Sequence, residues 1–345
     1  MRKTSLADVA KSLGVSKTLV SLVLNGRGNE KGISKDTQKR VWERVKEMNY
    51  KPNQMARGLR MGKSNTIGLL VADIANPFYA KICRSIEDHA AQHGYNLIIC
   101  SSDENPEKES ELLQMLIDRQ VDGLIFSTTQ AKTDDILQFK RSKFPFVLID
   151  RCLPRIETNY VGVDNRKGAH EVVEHLLELG NRRIGCLAIS PSHLSTIKDR
   201  IAGYKDALKA HQIRFDGKLV REIPFEDIKQ SVRKEIKELL MPPHNVTALF
   251  VVNNNVAVAC LEALQEMNIK VPQDLALVSF DDIELFKLCY PPVTAVAQPI
   301  EEIGSNAMAL LLENIKAGKA WENKQVNLGT EVVVRRSCGS FINQL

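Results

Sequence analysis

The sequence predicts a small all-α head followed by an α/β body built from two doubly wound parallel-sheet lobes. Three observations carry this. Residues 1–63 hold fifteen Lys/Arg and five Asp/Glu, a net of +10, whereas the remaining 282 hold 32 and 37, a net of −5. Short amphipathic helical patterns fill the basic part. Beyond it, continuous apolar runs alternate with helical patterns in two successive blocks, which indicates buried parallel strands. A basic head on a mildly acidic body predicts that the head meets a polyanion.

The 345 residues are enough for two or three domains. Apolar residues make up 43% and charged ones 26%, which describes an ordinary soluble protein. No apolar run approaches the ~18 residues of a membrane span. "MRKTSLADVAKSLG" lacks an apolar signal core, so neither export nor a membrane partner is expected and the cytoplasm is the expected compartment. Cys83, Cys100, Cys152, Cys186, Cys260, Cys289 and Cys338 are scattered, odd in number and without a CxxC pair, which fits reduced thiols.

In the head, "SLADVAKSL" opens on Ser5 with Asp8 three residues later, a capping box with Asp in place of Glu. Leu6, Val9, Ala10 and Leu13 follow at helical spacing, and Gly14 supplies the positive φ of a tight turn. Ser16 can cap the next helix through its hydroxyl. Two short helices joined by such a turn form a helix-turn-helix, whose second helix enters the major groove. Lys17, Thr18, Ser21 and Leu22 would face the base edges. On that helix Leu19, Val20, Val23 and Leu24 share one arc, and Lys17, Thr18, Ser21 and Asn25 the other. Leu22 is the misfit, a leucine at the edge of the polar side. A third helix, about Lys35 to Met48, is expected to complete the core with Val41, Trp42 and Val45. In "YKPNQMARGLRMGKSNTIGLLV", Pro52 interrupts and Asn53 can cap a polar-basic helix too short to be stable alone in water.

In the body, "TIGLLVAD", "NLIICSS", "VDGLIFST" and "PFVLIDR" are strand candidates, with "AKICRSIEDHAAQHG" and "KESELLQMLIDRQ" as helices between them. The rhythm recurs in "RIGCLAIS", "KLVREI", "TALFVV" and "LALVSF", interleaved with "KGAHEVVEHLLELG", "KDRIAGYKDALKAH" and "NVAVACLEALQEM". Two such blocks imply two lobes with a cleft beyond the carboxyl ends of their strands, where α/β folds bind ligands.

Three stretches, "LADVAKSLGVSKTLVSLVLNG", "NYKPNQMARGL" and "IGLLVADIANPFY", make the chain resemble the lactose-repressor (LacI/GalR) family of transcriptional regulators over essentially its whole length. One departure is visible: "GRGNEKGIS", between helices two and three, is about three residues longer than the family's spacing. The resemblance implies a body like the periplasmic sugar-binding proteins, whose lobes close on a small molecule by hinge motion. It implies that the chain crosses between lobes three times, with "IEEIGSNAMALLLENIKAG" returning to the first lobe. The expected organisation is residues 1–51 for the helix-turn-helix domain, 52–63 for a hinge helix and linker, and 64–345 for effector binding and dimerisation. Lobe one is expected at about 64–163 and 295–323, lobe two at about 164–294 and 324–345.

The resemblance also assigns residues. Lys17, Thr18 and Leu22 match the positions that select bases, with Ser5, Ser16, Ser21, Asn25, Asn53 and Arg57 as further DNA contacts. Leu59 in "MARGL" matches the leucine wedge of the family's hinge helix. In the cleft, Phe78 and Tyr79 of "ANPFY" match aromatic positions, Arg200 of "IKDRIAGY" the ligand-anchoring arginine, and Asp281 of "SFDDIE" the acceptor of ligand protons. Asn253 of "VVNNNVAVA" matches the Asn of the family's "AND" segment, and Asn254 stands where Asp is usual. Phe225 in "IPFED", Thr129 past the third strand and Arg151 after Asp150 complete the expected effector site. The bland alternatives are core packing for the aromatic pair and a structural ion pair for Arg200 and Asp281.

No GxGxxG follows a strand, and neither GxxxxGK[ST] nor GxSxG occurs, so dinucleotide, P-loop and hydrolase chemistry are not expected. His170 and His175 of "HEVVEH" are five apart, roughly 140° around a helix, which does not suit a metal. The expectation is a regulator, not an enzyme, without cofactor or metal. Its partners would be double-stranded DNA with a palindromic operator, a small-molecule effector of carbohydrate type, and a second copy of itself as homodimer or tetramer. The alternative is a small-molecule-binding protein with no DNA role.

Overall fold

The computed structural model describes residues 4–50, 63–129, 134–191, 193–320 and 322–340. The chain divides into two units, residues 1–64 and 65–345.

The head holds three helices, α1 (Leu6–Leu13), α2 (Lys17–Leu24) and α3 (Lys35–Glu47). The capping box forms: Ser5 Oγ accepts from the Asp8 N–H, and Asp8 accepts from the Ser5 N–H at 2.9 Å. Gly14 ends α1 at φ +67°, and its N–H reaches back to the last turn. Ser16 caps α2 through the Leu19 N–H, and Ser34 caps α3 through the Thr37 N–H. Val9, Ala10, Val20, Val23, Val41 and Val45 form the core. Trp42 does not join it, being 52% exposed. Val41 and Val45 are four apart and share one face, which turns the residue after Val41 about 100° aside. The longer loop is a folded turn. The Arg27 N–H bonds Leu22 O, the Ile33 N–H bonds Gly28 O, and Gln38 Nε2 donates to Asn29 Oδ1 and Ile33 O.

In the body, lobe one begins with β1 (Thr66–Val71), α4 (Pro77–Gln92), β2 (Asn96–Ser101), α5 (Pro106–Asp118), β3 (Gly123–Phe126), α6 (Asp134–Ser142), β4 (Phe146–Ile149) and β5 (Tyr160–Val163). Lobe two follows with α7 (Asn165–Glu178), β6 (Ile184–Ile189), α8 (Ser195–Ala210), β7 (Val220–Ile223), α9 (Ile228–Leu240) and β8 (Ala248–Val251). It continues through α10 (Asn254–Glu266), β9 (Ala276–Phe280), α11 (Glu284–Leu288) and β10 (Thr294–Ala297). Then α12 (Ile300–Ala317) and β11 (Gln325–Leu328) return to lobe one, and β12 (Glu331–Val333) to lobe two.

The two sheets have matching orders, β11-β5-β4-β3-β1-β2 and β12-β10-β9-β8-β6-β7. All pairs are parallel except β10 with β12. Two crossings fall a few residues from their expected places. β10 keeps Thr294–Ala297 in lobe two, and β11 carries Gln325–Leu328 into lobe one. The central strands β3, β4, β6, β8 and β9 are buried along their whole length, as continuous apolar runs between helices require. Two glycines permit close helix contacts. A Cβ at Gly203 of α8 would stand 2.1 Å from Arg166 O of α7, and one at Gly304 of α12 would stand 2.2 Å from Ser85 Oγ of α4.

All seven cysteines are free thiols. Burial pushes the Cys338 thiol up, but hydrogen bonding with His175, Ser340 and Thr294 outweighs it and holds the pKa down to about 7 from an ordinary 9.0. Because the folded value lies below the unfolded one, the thiolate contributes stability above the unfolded value, lost as pH falls through about 7. Cys338→Ser is therefore expected to flatten the rise in thermal stability between these two pH values, read by melting both proteins across that range. An unchanged slope would show that the thiolate contributes nothing.

Candidate nucleic-acid interface and ligand cleft

The face of α2 opposite the head core carries Lys17 and Thr18, both exposed, with Ser21, Leu22 and Asn25 half-buried. Leu22 stays outside the head's apolar cluster, whereas Val20 and Val23 on the same helix are buried in it. Asn25 turns its amide back along the helix, donating to Ser21 O at 2.6 Å. Ser5 and Ser16 both spend their hydroxyl oxygens on capping, and Ser5 also donates to Asp8 at 2.7 Å. Asn53, Arg57 and Leu59 lie outside the described residues.

In the body, equivalent strands of the two lobes, β4 and β9, each end on an aspartate in the left-handed region: Asp150 at φ +61° and Asp281 at φ +68°. Such a conformation costs a non-glycine residue free energy and is held only when its surroundings determine it. In lobe one, Tyr79 on the first turn of α4 donates its hydroxyl to Asp150 at 2.7 Å. In lobe two, Arg200 on the second turn of α8 stands 3.3 Å from Asp281 and donates to Val252 O at 2.6 Å and Asn165 Oδ1 at 2.8 Å. Its guanidinium lies over the Phe280 ring, 3.7 Å from the centroid. Burial pushes the Asp281 carboxyl up, opposed by Arg200 and by Gln298, which donates to it at 2.5 Å.

The cleft between these groups is lined by Phe78, Tyr79, Arg151, Arg200, Phe225, Asn253 and Asp281, seven of the eight residues expected there. Thr129 is the exception. Its N–H and hydroxyl both donate to the buried Glu109 carboxylate, at 2.6 and 2.5 Å, and this holds it away from the cleft lining. Phe78 and Tyr79 also pack edge-to-face in the lobe-one core, so core and cleft roles coincide in this pair. Asn253 caps α10 through the Val256 N–H.

Further groups line the cleft or bridge the lobes beside it, and of these the sequence singles out only Asn254. Glu104 forks with Arg151 at 2.6 and 2.7 Å, both side chains nearly buried. Asn254 is fully buried and donates across the lobes to Asn76 Oδ1 at 2.8 Å. Cys152 N–H donates to Ser195 Oγ at 3.0 Å, a second bond between lobes. Asn76 had a signal, since Asn before Pro at a helix start is a cap. Glu104 had none. With the lobes bridged in this way, the cleft measures about 30 Å³. That is far below the ~300 Å³ at which small-molecule sites begin, so a ligand of that size enters only if the lobes part.

Comparison with known proteins gives consistent matches. Residues 5–53 match "Bacterial regulatory proteins, lacI family", and residues 173–338 match "Periplasmic binding protein-like domain". The HTH-type transcriptional regulator KdgR of Bacillus subtilis (strain 168) is 33% identical over 97% of this chain and 97% of its own length. The crystal structure of the Lac repressor dimer bound to operator and the anti-inducer ONPF superposes with a TM-score of 0.83, at 25% identity, covering 98% of this chain and 99% of that one. The complex of the transcriptional regulator CelR with cellobiose gives a TM-score of 0.71 at 28% identity, covering 97% and 100%.

Proposed function

The chain belongs to the lacI family of bacterial regulatory proteins, and from that premise we propose a sequence-specific transcriptional repressor whose operator affinity is switched by a carbohydrate or sugar derivative held between its lobes. The observation that carries the reading is the presence, on one chain, of two separate recognition surfaces. One is a basic helix-turn-helix with a leucine left out of its core. The other is an interlobe cleft with paired aspartates and a buried arginine. The CelR complex with cellobiose supports a sugar as the ligand class. Phe78, Tyr79, Arg151, Arg200, Phe225, Asn253 and Asp281 are the proposed effector contacts. The protein acts as a regulator and not as a catalyst, in the cytoplasm, as a homodimer on a palindromic site. Leu288 and Tyr290, 83% and 91% exposed, offer apolar surface for a second copy. Sedimentation of the full chain distinguishes dimer from tetramer.

Lys17 and Thr18 offer hydrogen bonds to base edges, and Leu22 offers an apolar contact to the thymine C5-methyl. Leu22→Arg is expected to change the selected half-site at one or two positions, with a discrimination of ~1–3 kcal/mol. Binding-site selection on both proteins decides this; identical half-sites would mean that Leu22 reads no base. Leu59→Ala is expected to lose operator affinity and DNA bending while effector binding persists, since an unstacking wedge acts only on DNA. Near-normal operator affinity in that variant would remove the wedge. Failure of the wild-type chain to shift any duplex at low salt would favour a ligand-binding protein with no DNA role.

A further inference from the structure

The interlobe space of this structure lies mostly beside the cleft. A cavity of about 400 Å³ opens between the loop after β4 and the start of α8, so both lobes line it. Its walls carry Arg151, Arg155, His193 and Lys198, with Ser195 at the first position of α8, and no acidic side chain among the described lining residues. Arg155 and Lys198 are exposed and have no ion-pair partner among the described residues. The N-terminus of α8 has no side-chain cap, so the helix, sixteen residues long, presents uncapped N–H groups and its positive end there. Arg151 supplies an independent observation. Its side chain is 7% exposed and lines both the cavity and the cleft, yet its Nε has no hydrogen-bond partner, the Asp150 carboxylate standing 3.6 Å away.

We propose that this side cavity is an anion subsite, and that the effector is an acidic carbohydrate, a sugar acid or a sugar phosphate. The inference rests on the reading of the cleft as the sugar site. With the sugar against Arg200 and Asp281, its carboxylate or phosphate reaches the N-terminus of α8, five residues and about 7.5 Å back along the helix. Arg155 and Lys198 complete its charge beside the Arg151 guanidinium. Arg151 and Arg155 belong to lobe one, Lys198 and the helix terminus to lobe two. An anion held by both therefore favours the closed lobes over the open ones, which is the differential affinity a switch needs.

The test uses the full chain and four probes: glucose, glucuronate, glucose 6-phosphate and inorganic phosphate, with pentose acids and phosphates as further members of the two anionic arms. Thermal shift and operator affinity are the readouts. Anionic sugars are expected to stabilise the protein and change operator affinity, and inorganic phosphate to stabilise it at millimolar concentration. The two arms then distinguish carboxylate from phosphate. Arg155→Gln/Lys198→Gln is expected to weaken binding of the anionic probes at least about tenfold, because charge-assisted hydrogen bonds are lost. Lys198→Arg, which keeps the charge, retains the response and shows that the region still folds. If the anionic sugars act equally on wild type and the double variant, the anion subsite is wrong and the cleft reading stands. If no anionic probe stabilises the wild type, the subsite is also wrong. If Arg200→Lys responds to the sugars as wild type does, the cleft reading itself fails.

Discussion

Replacing Arg200 by alanine is expected to abolish the response of operator binding to effector while binding of the operator itself persists. The side chain is almost completely buried and holds three separate partners, Asp281, Asn165 and the Val252 carbonyl. Removing it takes away the planar fork that would grip vicinal hydroxyls or a carboxylate. It also leaves the Asp281 carboxylate buried without its cation. Breaking a buried pair from one side costs about 3–5 kcal/mol. Part of that returns by protonation, since burial already raises the Asp281 carboxyl above the ordinary range. For a group raised in the folded state, the stabilised condition lies at low pH and is lost as pH rises through the folded value. The variant's stability deficit should therefore be largest near neutrality and narrow toward acid. Melting wild type and variant side by side measures it, and Arg200→Lys separates loss of charge from loss of geometry. A variant that responds at the wild-type effector concentration would place the pocket elsewhere.

A large effect on stability is also expected at Gly203, three residues after Arg200 on α8. An added Cβ would stand 2.1 Å from the Arg166 carbonyl and 2.9 Å from both the Ala169 Cβ and the His170 nitrogen. Two of these are backbone atoms, which cannot turn aside as a flexible side chain can. Valine there forces α7 and α8 apart, at a cost on the order of 3 kcal/mol or more. In a body of this size that is roughly 6–12 °C in Tm. Because α8 also carries Arg200, separation misaligns the guanidinium with Asp281, so Gly203→Ala should weaken the effector response as well as the fold. A valine variant melting with wild type would show that the two helices part without strain.

The sequence made the architecture legible where patterns are long and apolar. β1, β3, β4, β6, β8 and β9 are continuous runs of large aliphatic residues, and each turned out central and buried. Helix α9, "IKQSVRKEIKELL", is harder to read because only Val232, Ile236 and Leu239 of its apolar residues are buried, and charged residues fill most of the positions between them. The strands β5, β10, β11 and β12 are three or four residues long and carry no period to read. Trp42 is large and apolar yet exposed, because its place after Val41 turns it away from the head core. In the cleft, Arg200 and Asp281 could be found because each sits in a recognisable stretch next to a strand or helix end. Glu104 and Gln298 could not, nor could the partner of Asn254, because these contacts arise only when segments 17 to 178 residues apart in sequence are brought together. Thr129 looked placed for the cleft, but its neighbour Glu109, buried on α5, takes both its N–H and its hydroxyl.

The matching sheets share one more property: one edge strand of each is drawn from residues 325–333, near the end of the chain. On the ribosome this fixes an order of events. The head, with all its core contacts inside residues 6–50, can fold as soon as it emerges. Neither lobe can complete its sheet until nearly the whole chain has been made, some 15–60 s later at ~5–20 residues per second. Throughout that interval a nascent chain displays a finished recognition helix on two unfinished sheets with open edges. Those edges are where pairing with other chains is easiest.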